Sequence, residues 1–134
     1  MAIKISELEG IDPQFAEVLM DAGLNNSNRL LSVAASPEGR RALASELGIS
    51  ETELIDLVNR ADLARIDGIG KIYSDLLELA GVDTVIELRT RNPRNLHAKI
   101  KEVAQKHHVR RTPNPATVED WIEQAQGLAR TVTY

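Results

Sequence analysis

Apolar side chains recur along this chain at the spacing of helices that bury one face. Phe15, Val18, Leu19 and Ala22 fall at i, i+3, i+4 and i+7, which predicts a helix. Asp12-Pro13 starts it, with Asp as N-cap and Pro where a backbone N–H would lack a partner anyway. Gly23 ends it, and one short helical turn over residues 5–11 precedes it, ending at Gly10. A short helix through Leu30, Leu31 and Val33 follows. Ser36-Pro37 opens the next helix, which buries Leu43, Ala44 and Leu47 and closes at Gly48. Ser50 with Glu53 forms a capping box ahead of Leu54, Ile55, Val58 and Ala61. No run of alternating β-branched residues bounded by turns occurs, so no strand is expected.

The pattern then restarts. Tyr73, Leu76, Leu77 and Ala80 match Phe15, Val18, Leu19 and Ala22 at an offset of 58. Ala80-Gly81 matches Ala22-Gly23, Leu88 matches Leu30, and Asn92-Pro93 matches Ser36-Pro37 ahead of Leu96, Ile100 and Val103. Thr117 with Asp120 matches Ser50 with Glu53, and Trp121, Ile122, Ala125 and Leu128 match Leu54, Ile55, Val58 and Ala61, now at an offset of 67. The growth in offset places an insertion over residues 107–116, whose two prolines and asparagine predict a loop. The expectation is an all-α chain of two tandem five-helix units, 1–62 and 63–134. About 60 residues bury barely enough surface to be stable alone, so the units are expected to share an apolar interface as one compact body.

The sharpest local signal is Gly68-Ile69-Gly70, between two helical patterns. The first Gly can take positive φ and turn the chain tightly. Ile69 can bury and pin the turn. Gly70 lacks a Cβ, so a phosphate could approach the backbone at the start of the next helix, where free N–H groups and the helix dipole favour an anion. Lys71 adds a full positive charge. Loop carbonyls there have the chemistry to hold an alkali cation; no other cofactor is expected. The first copy differs: Gly10-Ile11-Asp12 puts an acid where Gly70 sits and Pro13 replaces Lys71. Asp12 would cap its own helix and repel a phosphate, so that hairpin is expected to brace rather than bind.

Charge changes this picture. The net charge is −4, yet residues 1–62 hold five basic and eleven acidic side chains, a net of −6. Residues 89–111 hold eight basic side chains against Glu102 alone, a net of +7. Arg89, Arg91, Arg94, Lys99, Lys101, Arg110 and Arg111 therefore extend the candidate phosphate-binding set of Gly68, Ile69, Gly70 and Lys71.

Other chemistries are poorly served. The absence of Cys removes disulfides, thiolate zinc sites and iron–sulfur clusters. His107 and His108 are adjacent, so on a helix they point about 100° apart, and no metal site is expected. Trp121 reads as core, because its partner in the first copy is Leu54. Gly68 to Lys71 lacks the spacing and the hydroxyl of a P-loop, and capping accounts for Glu51 and Glu53, so no enzyme is expected. Nothing resembles a signal peptide or a membrane span, and a cytoplasmic location is the default.

Residues 66–70 with Leu76-Leu77 and Ala80-Gly81-Val82 resemble the helix-hairpin-helix motif of DNA repair and replication proteins, with Asp67 where those usually carry proline. More widely, Ala61-Asp62-Leu63, Arg65-Ile66, Gly68-Ile69-Gly70, Thr84-Val85, Glu87-Leu88, Arg91-Asn92-Pro93, Asn95-Leu96 and Trp121-Ile122 resemble a bacterial family of unknown function (number 4332) over most of the chain. The resemblance implies SAM-like helical bundles with tandem helix-hairpin-helix units, and DNA as a partner. A non-enzymatic, sequence-nonspecific DNA-binding module is thus the first expectation. A protein–protein adaptor, its acidic half facing a basic partner, is the alternative; neither a membrane nor a small-molecule substrate is implied.

Overall fold

A computed structural model describes residues 3–8 and 12–134. Among them the chain forms a 3-10 turn at Ile5–Glu7 and eight α-helices: α1 Pro13–Asp21, α2 Ser27–Ala34, α3 Pro37–Leu47, α4 Glu51–Leu63, α5 Lys71–Leu79, α6 Val85–Leu88, α7 Pro93–Lys106 and α8 Pro115–Gln126. The described residues contain no sheet, only one isolated bridge between Lys4 and Asn26. Gly10 and Ile11, the expected first-copy turn, lie outside the described residues.

Short polar caps set the helix starts. Asp12, Asn26, Ser36, Ser50, Thr84, Asn92 and Asn114 each accept a backbone N–H from the first turn they precede. Proline occupies the first turn of α1, α3, α7 and α8. Each cap supplies one of the acceptors a helix N-terminus lacks, typically about 1 kcal/mol.

Two expectations need correction. Helix α8 starts at Pro115, not at a cap on Thr117. Asn114 takes the cap, accepting the Thr117 N–H at 2.8 Å and the Thr117 hydroxyl at 2.9 Å. Asp120 accepts from the Gln124 amide instead of serving a capping box. Asn114 thus answers Ser50, an offset of 64 rather than 67. Buried Val118, Trp121, Ile122 and Ala125 then answer buried Leu54, Leu57, Val58 and Ala61. Asn-Pro is the same start signal that opens α7, and it outweighs a Thr-x-x-Asp pattern. The second half also has four α-helices and no separate leading helix. Helix α4 runs through Leu63, and the chain beyond it descends in tight turns.

The buried apolar side chains fall into two clusters. One gathers Ile5, Leu19, Leu30, Leu54, Val58 and Ala61 with neighbours from residues 3–64, plus Val132. The other gathers Leu63, Ile66, Ile69, Leu77, Leu88, Ile100 and Trp121. Helix α2 packs on α3 and α4 in the first; α7 packs on α5 and α8, and α6 on α8, in the second. Polar contacts run between the clusters. Buried Arg60 of α4 reaches Asp75 at 3.8 Å and closely pairs Glu78, both on α5. Residues 129–134 cross back onto the first cluster: Val132 is buried there, Thr133 N–H donates to the Ala35 carbonyl at 2.9 Å, and Arg40 donates to the Thr133 carbonyl at 2.6 Å. Tyr134 completes this strap with its hydroxyl on Asn59 and its ring under Arg40.

Candidate nucleic-acid interface

The turn between α4 and α5 is built from overlapping short bonds. Arg65 N–H donates to Asp62 O, Ile66 N–H to Leu63 O and Ile69 N–H to Ile66 O, each at 3.1–3.2 Å. Ile66 and Ile69 are fully buried, so the turn is anchored by side chains on either side of Gly68. Ile69 can therefore offer a ligand only its backbone. Gly68 has φ +98°, and a Cβ added there would stand 3.2 Å from the Trp121 Nε1. The positive φ favours glycine, and a side chain would also push the Trp121 ring by a few tenths of an ångström.

Gly70 is different. Its φ is −111°, and a Cβ there would meet nothing within 4 Å. Space lies open above this backbone. Gly70 is the N-cap of α5 and carries no side chain to accept a first-turn N–H. Every other α-helix among the described residues supplies its own polar cap. Exposed Lys71 is the first residue of α5. The first turn of α5 therefore presents backbone donors, the positive end of a helix dipole and an ammonium group together.

Side chains that the sequence pattern did not single out hold this turn. Gln124 of α8 brackets the Asp67 peptide as a neighbouring strand would. Its Oε1 accepts the Asp67 N–H at 2.9 Å and its Nε2 donates to the Asp67 carbonyl at 3.1 Å. Buried Asp62 accepts from Arg65 Nη1 and from the Val85 N–H, both at 2.9 Å, and so ties the turn to the start of α6. Arg65 Nη2 also donates to the Ala129 carbonyl at 2.8 Å. The available signal was an acid and a glutamine on apolar helix faces, where an unpaired polar group would be costly.

The basic residues divide among several places. Arg111 comes to the hairpin helix, its guanidinium 5.7 Å from the centre of the Tyr73 ring. Tyr73 in turn packs on Trp121, ring centres 5.1 Å apart. Trp121 is buried, as expected of a core residue. Arg110 is exposed on the same loop. Arg91 caps the other end of α5, donating to the Gly81 carbonyl at 3.0 Å. Nine helical residues rise about 13 Å, so Arg91 and Lys71 serve different phosphates if both serve any. Arg89 is exposed after α6. Arg94 lines a cleft between the starts of α7 and α8 with His97 and Glu119. Lys99 faces Glu102 at 3.7 Å, and exposed Lys101 borders a groove with Val109 and Thr112. Lys71 is on the first turn of α5 and Arg111 reaches the ring of Tyr73 on the same helix, while the other basic residues are spread elsewhere.

No group of three or more His, Asp or Glu side chains is arranged to hold a metal ion among the described residues, and none of their helices is long and apolar enough to cross a membrane. At the α4–α5 junction, burial pushes the Glu78 carboxyl above its ordinary value while Arg60 pulls it down.

A family model covers nearly the whole molecule, matching residues 9–128. The chain belongs to the family described as a domain of unknown function (DUF4332). No curated protein and no solved structure matches it.

Proposed function

We propose that this member of the family is a non-enzymatic, sequence-nonspecific DNA-binding module, built from two helix-hairpin-helix units at 1–62 and 63–134, of which the second binds phosphate. The observation that carries this reading is the first turn of α5: an uncapped helix start behind open Gly70, with Lys71 on it and Arg111 over the ring of Tyr73, the third residue of the same helix. A phosphate oxygen would accept from the first-turn N–H groups and pair with Lys71. Arg111 and Arg110 would take an adjacent phosphate, with Arg89, Arg91, Arg94, Lys99 and Lys101 as longer-range field. Such contacts position a duplex without reading bases.

Fluorescence anisotropy with a short duplex tests this. Each neutralised phosphate contributes a slope of about −0.9 in log K against log salt. Lys71→Glu and Arg111→Glu together should remove about two phosphates from that slope and weaken binding at least about tenfold. Equal binding to unrelated sequences is expected. Binding that is flat in salt, or unchanged in the double variant, would place the interface elsewhere. Absence of any duplex binding at low salt would leave the protein-adaptor reading as the better one.

A further inference from the structure

Phe15 and Tyr73 hold the same place in two similar helices. Each is the third residue of a nine-residue helix, α1 or α5, followed by a glycine at positive φ, Gly23 or Gly81. Both rings are half-buried against their own core cluster, and Tyr73 also has Trp121 beside it and Arg111 over its ring, the latter delivered by the 107–114 loop. The first half has no such loop, since α3 passes to α4 through residues 48–50 alone. Phe15 borders an open groove of about 510 Å³ instead. Phe15, Val18, Ile49 and Leu57 supply its apolar surface; exposed Asp12, Glu53 and Asp56 supply its rim, Asp12 also capping α1 and Asp56 lying 3.9 Å from Arg60, and the lining itself contains no basic residue among the described residues.

We propose that this groove receives the arginine-bearing loop of a second copy of the chain, so that copies associate head to tail. Charge complementarity selects this occupant: the half that carries the groove has a net charge of −6, and the 89–111 segment of the other copy has +7. The second half already holds a guanidinium on an aromatic face, Arg111 on Tyr73. In the groove, the N–H groups of the incoming arginine would reach the rim carboxylates as well. Arg110 is exposed beside Arg111, so it can enter a neighbour's groove while Arg111 stays on Tyr73. The contact is heterologous: a singly joined pair leaves one groove and one loop unused, so association runs past two copies until a ring closes. The proposal does not rest on DNA binding, because the groove belongs to the other half of the molecule.

Sedimentation velocity over a range of concentrations tests it. The wild-type chain should grow past a dimer at low salt and return to monomer at high salt, with the association weakened at least about tenfold as the rim charges are screened. A groove variant, Glu53→Lys with Asp56→Asn, should stay monomeric alone, and so should a loop variant, Arg110→Glu with Arg111→Glu. Mixing the two should restore a salt-sensitive complex, because one supplies an intact loop and the other an intact groove. Unchanged helical circular dichroism shows that both variants are folded. The groove variant should still bind duplex DNA, which separates this proposal from the function proposed above. A chain that is monomeric at every concentration in low salt, or a mixture that stays monomeric, overturns the proposal.

Discussion

The two glycines of one tripeptide play opposite parts. Gly68 serves the fold: its φ is positive, and a Cβ there would crowd the Trp121 ring. Gly68→Ala should lower stability by about 1–3 kcal/mol in chemical denaturation. Gly70→Ala, whose Cβ would enter open space, should cost less than about 1 kcal/mol and report instead on ligand approach. Equal losses at the two positions would contradict this division. Asp62 is a second residue with a sharp expectation. Asp62→Ala strands the Val85 N–H and removes the carboxylate that holds Arg65, a loss of about 2–4 kcal/mol read by thermal unfolding. A loss below about 0.5 kcal/mol would show that those bonds contribute little net stability. Glu78 adds a pH dependence. Burial raises its carboxyl above the ordinary value, so the folded chain holds that proton more tightly than the unfolded chain does. This contribution is fully present below the ordinary carboxylate value and is lost as pH rises through the raised one. Glu78→Gln should flatten stability against pH across that window, and an unaltered profile would contradict the assignment.

At the scale of elements, the helices were legible because their starts are written locally. Asp12-Pro13, Ser36-Pro37 and Asn92-Pro93 place a cap and a proline side by side, and all three open helices where the pattern predicts. The same dipeptide at Asn114-Pro115 opens α8, so a repeat aligned on Thr117 with Asp120 is three residues out of register. What fixes the Gly68 turn was not legible. Gln124 lies 57 residues from Asp67, and only the packing of α8 against the turn brings the amide to that peptide. Arg111 on Tyr73 is hidden for the same reason, as a loop residue meeting an aromatic 38 positions earlier in the chain. Gln124→Ala should cost about 1–2 kcal/mol through the two lost bonds to the Asp67 backbone. It should also speed amide exchange at residues 67–70 more than in α7. Protection unchanged at the turn would mean that the buried isoleucines suffice to hold it.

At the scale of the molecule, two apolar clusters are joined by a continuous helix, a buried arginine and a returning strap. The helical pattern predicts both clusters but not the strap, because residues 129–134 carry no periodic signal and Val132 finds its place only once α8 has turned back. Val132→Ala should destabilise the first cluster by about 1–2 kcal/mol, seen as faster amide exchange in α2–α4 than in α7 and α8; uniform loss across all helices would instead indicate one cooperative unit. Function is proposed at the uncapped start of α5, with Gly70 and Lys71 there and Arg111 on Tyr73 of the same helix. The most direct test is to titrate the ¹⁵N-labelled chain with a short DNA duplex at low salt and follow backbone amides. The largest chemical-shift changes should fall on Gly70, Lys71, Ile72 and Tyr73, reversing on addition of salt. Shifts centred on α1 or α4, or no shifts at saturating duplex, would contradict phosphate binding by the second hairpin.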